Sequence, residues 1–172
     1  MSGARYLIDT SVFFQAYKAY YSFRLCPGFW DGLVSLHNQG RIFSIDRVFD
    51  EICYGEEDEL TNWAKASAPK TFFAVSTSPR VIEWYRLIQI WANSQAQFFP
   101  AAKAQIADGA DAWLIAYAGA NDFTVVTGEV YSPTARNRIP IPNVCKANDF
   151  KVPCVDVFQM LDRLGIRFVG SQ

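Results

Sequence analysis

Tyr6-Leu7-Ile8-Asp9-Thr10-Ser11 decides how this chain is read. An apolar run ends on an aspartate, and two hydroxyl residues follow. The apolar part reads as a short buried strand, and Asp9-Thr10-Ser11 is suited to cap the next helix. Acidic residues recur in comparable settings further along. Glu51 sits in Val48-Phe49-Asp50-Glu51-Ile52, and Asp111 opens Asp111-Ala112-Trp113-Leu114-Ile115-Ala116. Glu129 closes Val125-Val126-Thr127-Gly128-Glu129.

Working outward from Asp9, the pattern predicts alternating strands and helices. A helix rich in aromatic residues extends to about residue 24, and Pro27-Gly28 reads as a break. A second helix covers about 29–38 and stops at Gly40 in the manner of a C-terminal glycine. A strand at 41–45 leads to a short helix at 47–54, with Asp46 placed to cap it and Glu51 on it. After an acidic turn at 55–58 come a helix at 59–66 and a brief strand or extended loop at 71–75. Ser78-Pro79 opens a long helix with apolar residues at near-helical spacing, ended by Phe98-Phe99-Pro100. A further helix covers about 108–119, and 123–127 is a β-prone core strand. Residues 128–150, with Pro133, Pro140 and Pro142, read as an irregular loop. A strand at 152–155, a helix at 157–164 ended by Gly165 and an edge strand at 166–169 close the chain.

This alternation predicts one α/β domain over 1–172, with a mostly parallel sheet of about four to five strands flanked by helices. In such sheets ligands bind beyond the carboxyl ends of the strands. Asp9 and Glu129 both lie there, so their side chains are placed to meet.

Composition narrows the chemistry. The chain has 172 residues, 51% hydrophobic and 19% charged, which describes a globular core and not a disordered segment. A net charge of −1 excludes a polycation, so nucleic-acid binding would rest on a local patch. The four cysteines form no C-x-x-C pair, and His37 is the single histidine, which argues against a zinc site. No apolar segment approaches the roughly 20 residues of a membrane span. The start runs directly into a strand without a secretory leader, so the reduced cytoplasm is the expected compartment. The aromatic run Phe13, Phe14, Tyr17, Tyr20, Tyr21, Phe23, Phe29 and Trp30 has two readings: a large aromatic core, or surface covered by a partner such as a second copy of the chain.

Converging carboxylates without matching bases call for a hard cation. An oxygen-only set selects Mg²⁺ or Mn²⁺ over zinc. Such ions polarise a phosphodiester, activate water and stabilise the leaving oxygen. Without metal, mutual repulsion raises carboxylate pKa values. Each residue also has a local explanation. Asp9 caps a helix, Glu51 is a charge at a helix margin, and Glu129 is a turn residue. Asp108 and Asp111, three apart, resemble a capping box. Asp108 is assigned the cap and Asp111 the site. Arg136, Arg138 and Lys146 follow Glu129 and are the candidate phosphate contacts, with a solvated loop as the alternative.

Taken together and in this order, the four acidic segments resemble the PIN domain, from Tyr6 to about Phe168. The stretch from Ile139-Pro140-Ile141-Pro142-Asn143-Val144-Cys145 through Met160-Leu161 is similar to a branch of PIN-like proteins akin to the VapC toxins. The resemblance implies a PIN-like three-layer sandwich and a metal-dependent endoribonuclease leaving 5′-phosphate ends. In many prokaryotic relatives it also implies a toxin held in check by a cognate antitoxin protein. It makes Asp9, Glu51, Asp111 and Glu129 the catalytic, Mg²⁺- or Mn²⁺-binding residues, with Thr10 or Ser11 and Thr127 in support. Two departures stand out. The fourth position is more often Asp, and Glu129 carries its carboxylate about an ångström further out. Residues 55–105 form a longer helical insertion than a minimal PIN domain has.

Other enzyme classes lack their marks. A haloacid-dehalogenase-like phosphatase needs a second acid where Ser11 stands. The glycine pattern of dinucleotide enzymes and the P-loop pattern are both missing. The lone His37 gives no support to serine or cysteine hydrolysis. The competing reading is a catalytically silent PIN-like fold that binds nucleic acid or protein.

Overall fold

The computed structural model describes residues 3–167. Five short strands, β1 (Tyr6–Ile8), β2 (Ile42–Ile45), β3 (Phe73–Ala74), β4 (Thr124–Val126) and β5 (Cys154–Val155), form a sheet in the order β3-β2-β1-β4-β5. Every pairing is parallel. In the middle, Leu7 pairs with Phe43 on one side and Val125 on the other. All three residues of β1 are buried, as a parallel strand covered on both faces must be. The α/β sandwich expected from the alternation is therefore present.

The helices are α1 (Thr10–Gln15), α2 (Pro27–Asn38), α3 (Asp46–Cys53), α4 (Glu59–Asn62), α5 (Pro79–Ser94), α6 (Pro100–Asp108), α7 (Asp111–Asn121), α8 (Ile141–Lys146) and α9 (Val157–Arg163). Both α1 and α4 continue as wider π-type turns, through Tyr20 and Ser67. Gly40 takes φ +73°, the left-handed conformation that ends a helix without a side-chain clash.

Several elements differ from the sequence expectation. The first helical stretch stops at Tyr20, not near Arg24. Pro27 opens α2 instead of interrupting the chain, because a first-turn proline gives up an N–H that no helix bond needs. The same logic explains α6, headed by Pro100, and α8, with Pro142 in its first turn. Part of the segment expected as an irregular loop is thus helical. Asp108 is the last residue of α6, and the residue before α7 is Ala110, which caps with no side chain. The expected capping role of Asp108 is corrected accordingly. Ile166 and Arg167 form no strand, and the rest of the expected edge strand lies outside the described residues. Residues 55–105 supply β3 to the sheet edge, and also α5, which packs along α7.

The aromatic run is largely internal. Phe13, Phe29 and Trp30 are buried, and the Trp30 ring stacks on Phe23 at 4.1 Å. Its Nε1–H donates to the Tyr21 carbonyl at 2.7 Å, so the buried indole keeps its polar atom satisfied. Tyr20 stays 56% exposed. The core reading accounts for most of these rings. His37 is buried, with Nδ1 2.9 Å from the Ile42 carbonyl and Nε2 2.9 Å from Thr71 Oγ1. That is a structural role. All four cysteines are unbridged. Among the described residues no helix is long and apolar enough to cross a membrane.

The α5–α7 contact depends on a missing side chain. A Cβ at Gly119 would lie 2.3 Å from Cζ3 of Trp84. Gly119→Ala gains about 1 kcal/mol of helix propensity, but overpacking of this kind costs about 1–3 kcal/mol. The variant is expected to unfold at lower urea concentration than the wild type. A midpoint equal to or above wild type would show that Trp84 swings away freely.

Candidate functional site

The strand order reverses direction between β1 and β4, and the crevice of a parallel sheet opens at that switch. Asp9 ends β1 there. Its backbone N–H donates to the Val126 carbonyl at 2.9 Å, so the aspartate is stitched to β4. It caps α1 through a 3.3 Å bond from the Ser11 N–H, as its sequence context predicts. The side chain is also held by the hydroxyls of Ser11 and Thr127, the latter at 3.0 Å. Only 2% of Asp9 is exposed. A polar chain ties the two strand ends around it: the Gly128 N–H donates to Ser11 Oγ at 3.0 Å, and the Glu129 N–H donates to Thr127 Oγ1 at 3.1 Å.

Glu51 arrives from the other side. It lies on α3, which starts where β2 ends. One carboxylate oxygen accepts from the Thr10 hydroxyl, and the other accepts from the Ala110 N–H at 3.1 Å. Glu51 thereby joins the start of α1 to the residue just before α7. Asp111 is the first residue of α7. Among the described residues no hydrogen-bond donor reaches its carboxylate.

Electrostatics link these three residues. Burial is the main cause that pushes Asp111 up to about 7, and the negative charges of Asp9 and Glu51 add to it. Arg138 pulls in the opposite direction. Asp9 is raised as well, mainly by burial, against the lowering effect of Ser11 and Thr127, with Glu51 adding a further push upward. Negative charge is thus concentrated beyond what the protein's own donors offset. The available atoms are carboxylate and hydroxyl oxygens, the donor chemistry of Mg²⁺ or Mn²⁺. The residues fit such an ion in kind. Among the described residues they do not close into a ready-made cage of three or more ligands.

Glu129 is arranged differently. One of its oxygens pairs with the Arg138 guanidinium, and the other accepts from the Ile141 N–H at 2.7 Å. The charges acting on Asp111 are those of Asp9, Glu51 and Arg138, and Glu129 stands outside that set. Asp108, at the end of α6, acts electrostatically on Tyr85, whose hydroxyl donates to the Ala107 carbonyl at 2.8 Å.

A cavity of about 680 Å³ opens beside Ser11, the partner of Asp9, and Gln15, Phe99, Glu129, Arg136 and Arg138 also line it, whereas Asp9, Glu51 and Asp111 do not. Two of the three expected phosphate contacts therefore face one groove. Lys146 sits on α8, with its ammonium 4.3 Å from the centre of the Tyr131 ring. It lines an adjoining groove of about 540 Å³. The two grooves share Gln15, Gly128, Glu129 and Val130.

Sequence reasoning missed the Ala110 N–H, because a backbone donor carries no residue signature. It missed Gln15 and Phe99 in the groove for a related reason: nothing near them in sequence marks them. The Ser132–Asn143 lock was also missed. The Ser132 N–H donates to Asn143 Oδ1 at 2.9 Å, and Asn143 Nδ2 returns a bond to the Ser132 carbonyl at 2.7 Å.

Comparison with curated proteins finds no match. The family described as a domain of unknown function (DUF4411) matches residues 6–168, almost the full length, and the chain belongs to that family.

Proposed function

We propose that the protein is a PIN-like ribonuclease dependent on Mg²⁺ or Mn²⁺. The observation that carries this reading is the meeting of Asp9, Glu51 and Asp111 at the sheet's switch point, with two of them raised in proton affinity by burial and mutual repulsion. Asp9 and Asp111 would hold the ion, with Glu51 beside them. When bound, the ion supplies a hydrolytic water in its reactive form and offsets charge that develops on the phosphodiester.

The protein's own groups do the rest. Ser11 and Thr127 fix the Asp9 carboxylate, and Thr10 with the Ala110 N–H fixes Glu51. Arg136 and Arg138 supply positive charge along the groove, where a phosphate backbone would run. The partners that follow are an RNA substrate and, in the toxin reading, an antitoxin chain that covers the groove.

Purified protein tests the proposal directly. It is expected to cut structured or single-stranded RNA with Mn²⁺ or Mg²⁺, leave 5′-phosphate ends and stop in EDTA. Undiminished cleavage in excess EDTA would sink the mechanism. Folded protein that neither cleaves nor binds Mn²⁺ would favour the silent binding module.

A further inference from the structure

Glu129 has both carboxylate oxygens committed. Arg138 takes one and the Ile141 N–H the other. The Glu129 side chain is 13% exposed, whereas Arg138 is 52% exposed. The pair therefore has an inner, pinned carboxylate and an outer, accessible guanidinium. A guanidinium carries five N–H donors in a rigid fork. One edge on Glu129 leaves others for a second acceptor, and Arg138 lines the cavity that also contains Ser11, the residue bonded to Asp9.

The segment that carries Arg138 is fastened throughout. Asn143 locks Ser132 at one end, and the Phe99 N–H donates to the Arg136 carbonyl at 3.0 Å. Gln97 Nε2 reaches the carbonyls of Pro133 and Ala135 at 3.2 and 2.9 Å. Glu129 completes this set at the end nearest the carboxylates. The position of Arg138 is thus built, and its charge reaches Asp111 as well.

We propose that Glu129 is a positioning residue and not an ion ligand: it clamps Arg138 beside the Asp9–Glu51–Asp111 cluster, where Arg138 grips a phosphate of the substrate strand. This rests on the ribonuclease reading for its substrate. It departs from the family resemblance at the fourth acidic position. The extra methylene of glutamate, compared with the aspartate more usual there, lets the carboxylate span from the end of β4 to the start of α8.

Three measurements on the full chain test it. The first is Mn²⁺ affinity by calorimetry. Glu129→Gln is expected to stay within about threefold of wild type, whereas Asp9→Asn loses about tenfold or more. Equal losses in the two variants would make Glu129 a ligand and overturn the proposal. The second is binding of a fluorescein-labelled 12-nucleotide mixed-sequence RNA in EDTA. Arg138→Ala is expected to weaken binding about tenfold, the scale of a lost charge-assisted bond. The salt dependence should become shallower by about 0.7 in log–log slope, the value for one single-strand phosphate contact. Arg138→Lys should restore that slope. An unchanged slope in Arg138→Ala, or no RNA binding by the wild type, overturns the phosphate role. The third is limited trypsin digestion, in which Glu129→Gln should speed cutting after Arg136 and Arg138 several-fold. An unchanged rate overturns the clamp. Wild-type protein that binds RNA and Mn²⁺ but cuts nothing would sink the ribonuclease reading while these three measurements still decide the roles of Glu129 and Arg138.

Discussion

Asp9→Asn is expected to lower Mn²⁺-dependent RNA cleavage about a thousandfold, since a metal's electrostatic help is worth several kcal/mol at the transition state. The substitution keeps the shape of the side chain. The Ser11 and Thr127 hydroxyls that now donate to it can turn to suit an amide. The lost quantity is charge, at the place where β1, β4 and α1 meet. The fold should not suffer. Asp9 is buried with its ionised form disfavoured, so removing that charge is expected to leave the thermal midpoint in EDTA unchanged or higher. Loss of activity with retained or increased stability is the signature of a functional carboxylate held at a cost to the fold. A variant that keeps cleavage within about tenfold of wild type would remove Asp9 from the mechanism.

The metal-free protein is expected to lose stability as pH rises from 5 to 8, by up to about 3 kcal/mol from Asp111 alone. The direction follows from its raised folded pKa. The ordinary value is 3.8, and in the folded chain Asp111 is pushed up to about 7. Below about 4 both folded and unfolded forms hold the proton. Between about 4 and 7 the folded form keeps a proton that the unfolded chain releases, so raising the pH favours unfolding. Above 7 both forms are ionised and the slope disappears. Asp9 is shifted in the same direction and adds to the effect. Saturating Mn²⁺ should flatten the profile, because a bound cation stabilises the ionised cluster in the folded state. Urea unfolding at several pH values, with EDTA or Mn²⁺, measures both halves. Stability that rises from pH 5 to 8 in EDTA would show that the cluster is not charge-strained.

The part of the fold that was readable from the chain is the part governed by local rules. Tyr6-Leu7-Ile8 is apolar on both faces, so it had to be a covered central strand. Asp9-Thr10-Ser11 follows it with capping chemistry, and Asp9 caps α1. The carboxylates at strand ends and helix starts followed from the same pattern. Prolines misled where they should have helped. By sequence Pro27, Pro100 and Pro142 read as interruptions, yet each sits in the first turn of a helix. The spacing of Asp108 and Asp111 suits a capping box, yet α6 ends on Asp108 and Ala110 precedes α7.

Residue types, capping and the two hydrophobic periods act over a few neighbours, so the chain alone determines its α/β class and which acidic residues stand at element ends. Which of those residues share a site is set over separations of tens of residues. Glu51 meets Thr10 and the Ala110 N–H only because α3 and α7 pack at the same crevice. Asp111 gains its neighbours the same way, and Glu129 is drawn to Arg138 and Ile141 by a helix that its prolines concealed. Desolvation and long-range Coulomb effects belong to the packed molecule, and no local pattern of residues encodes them.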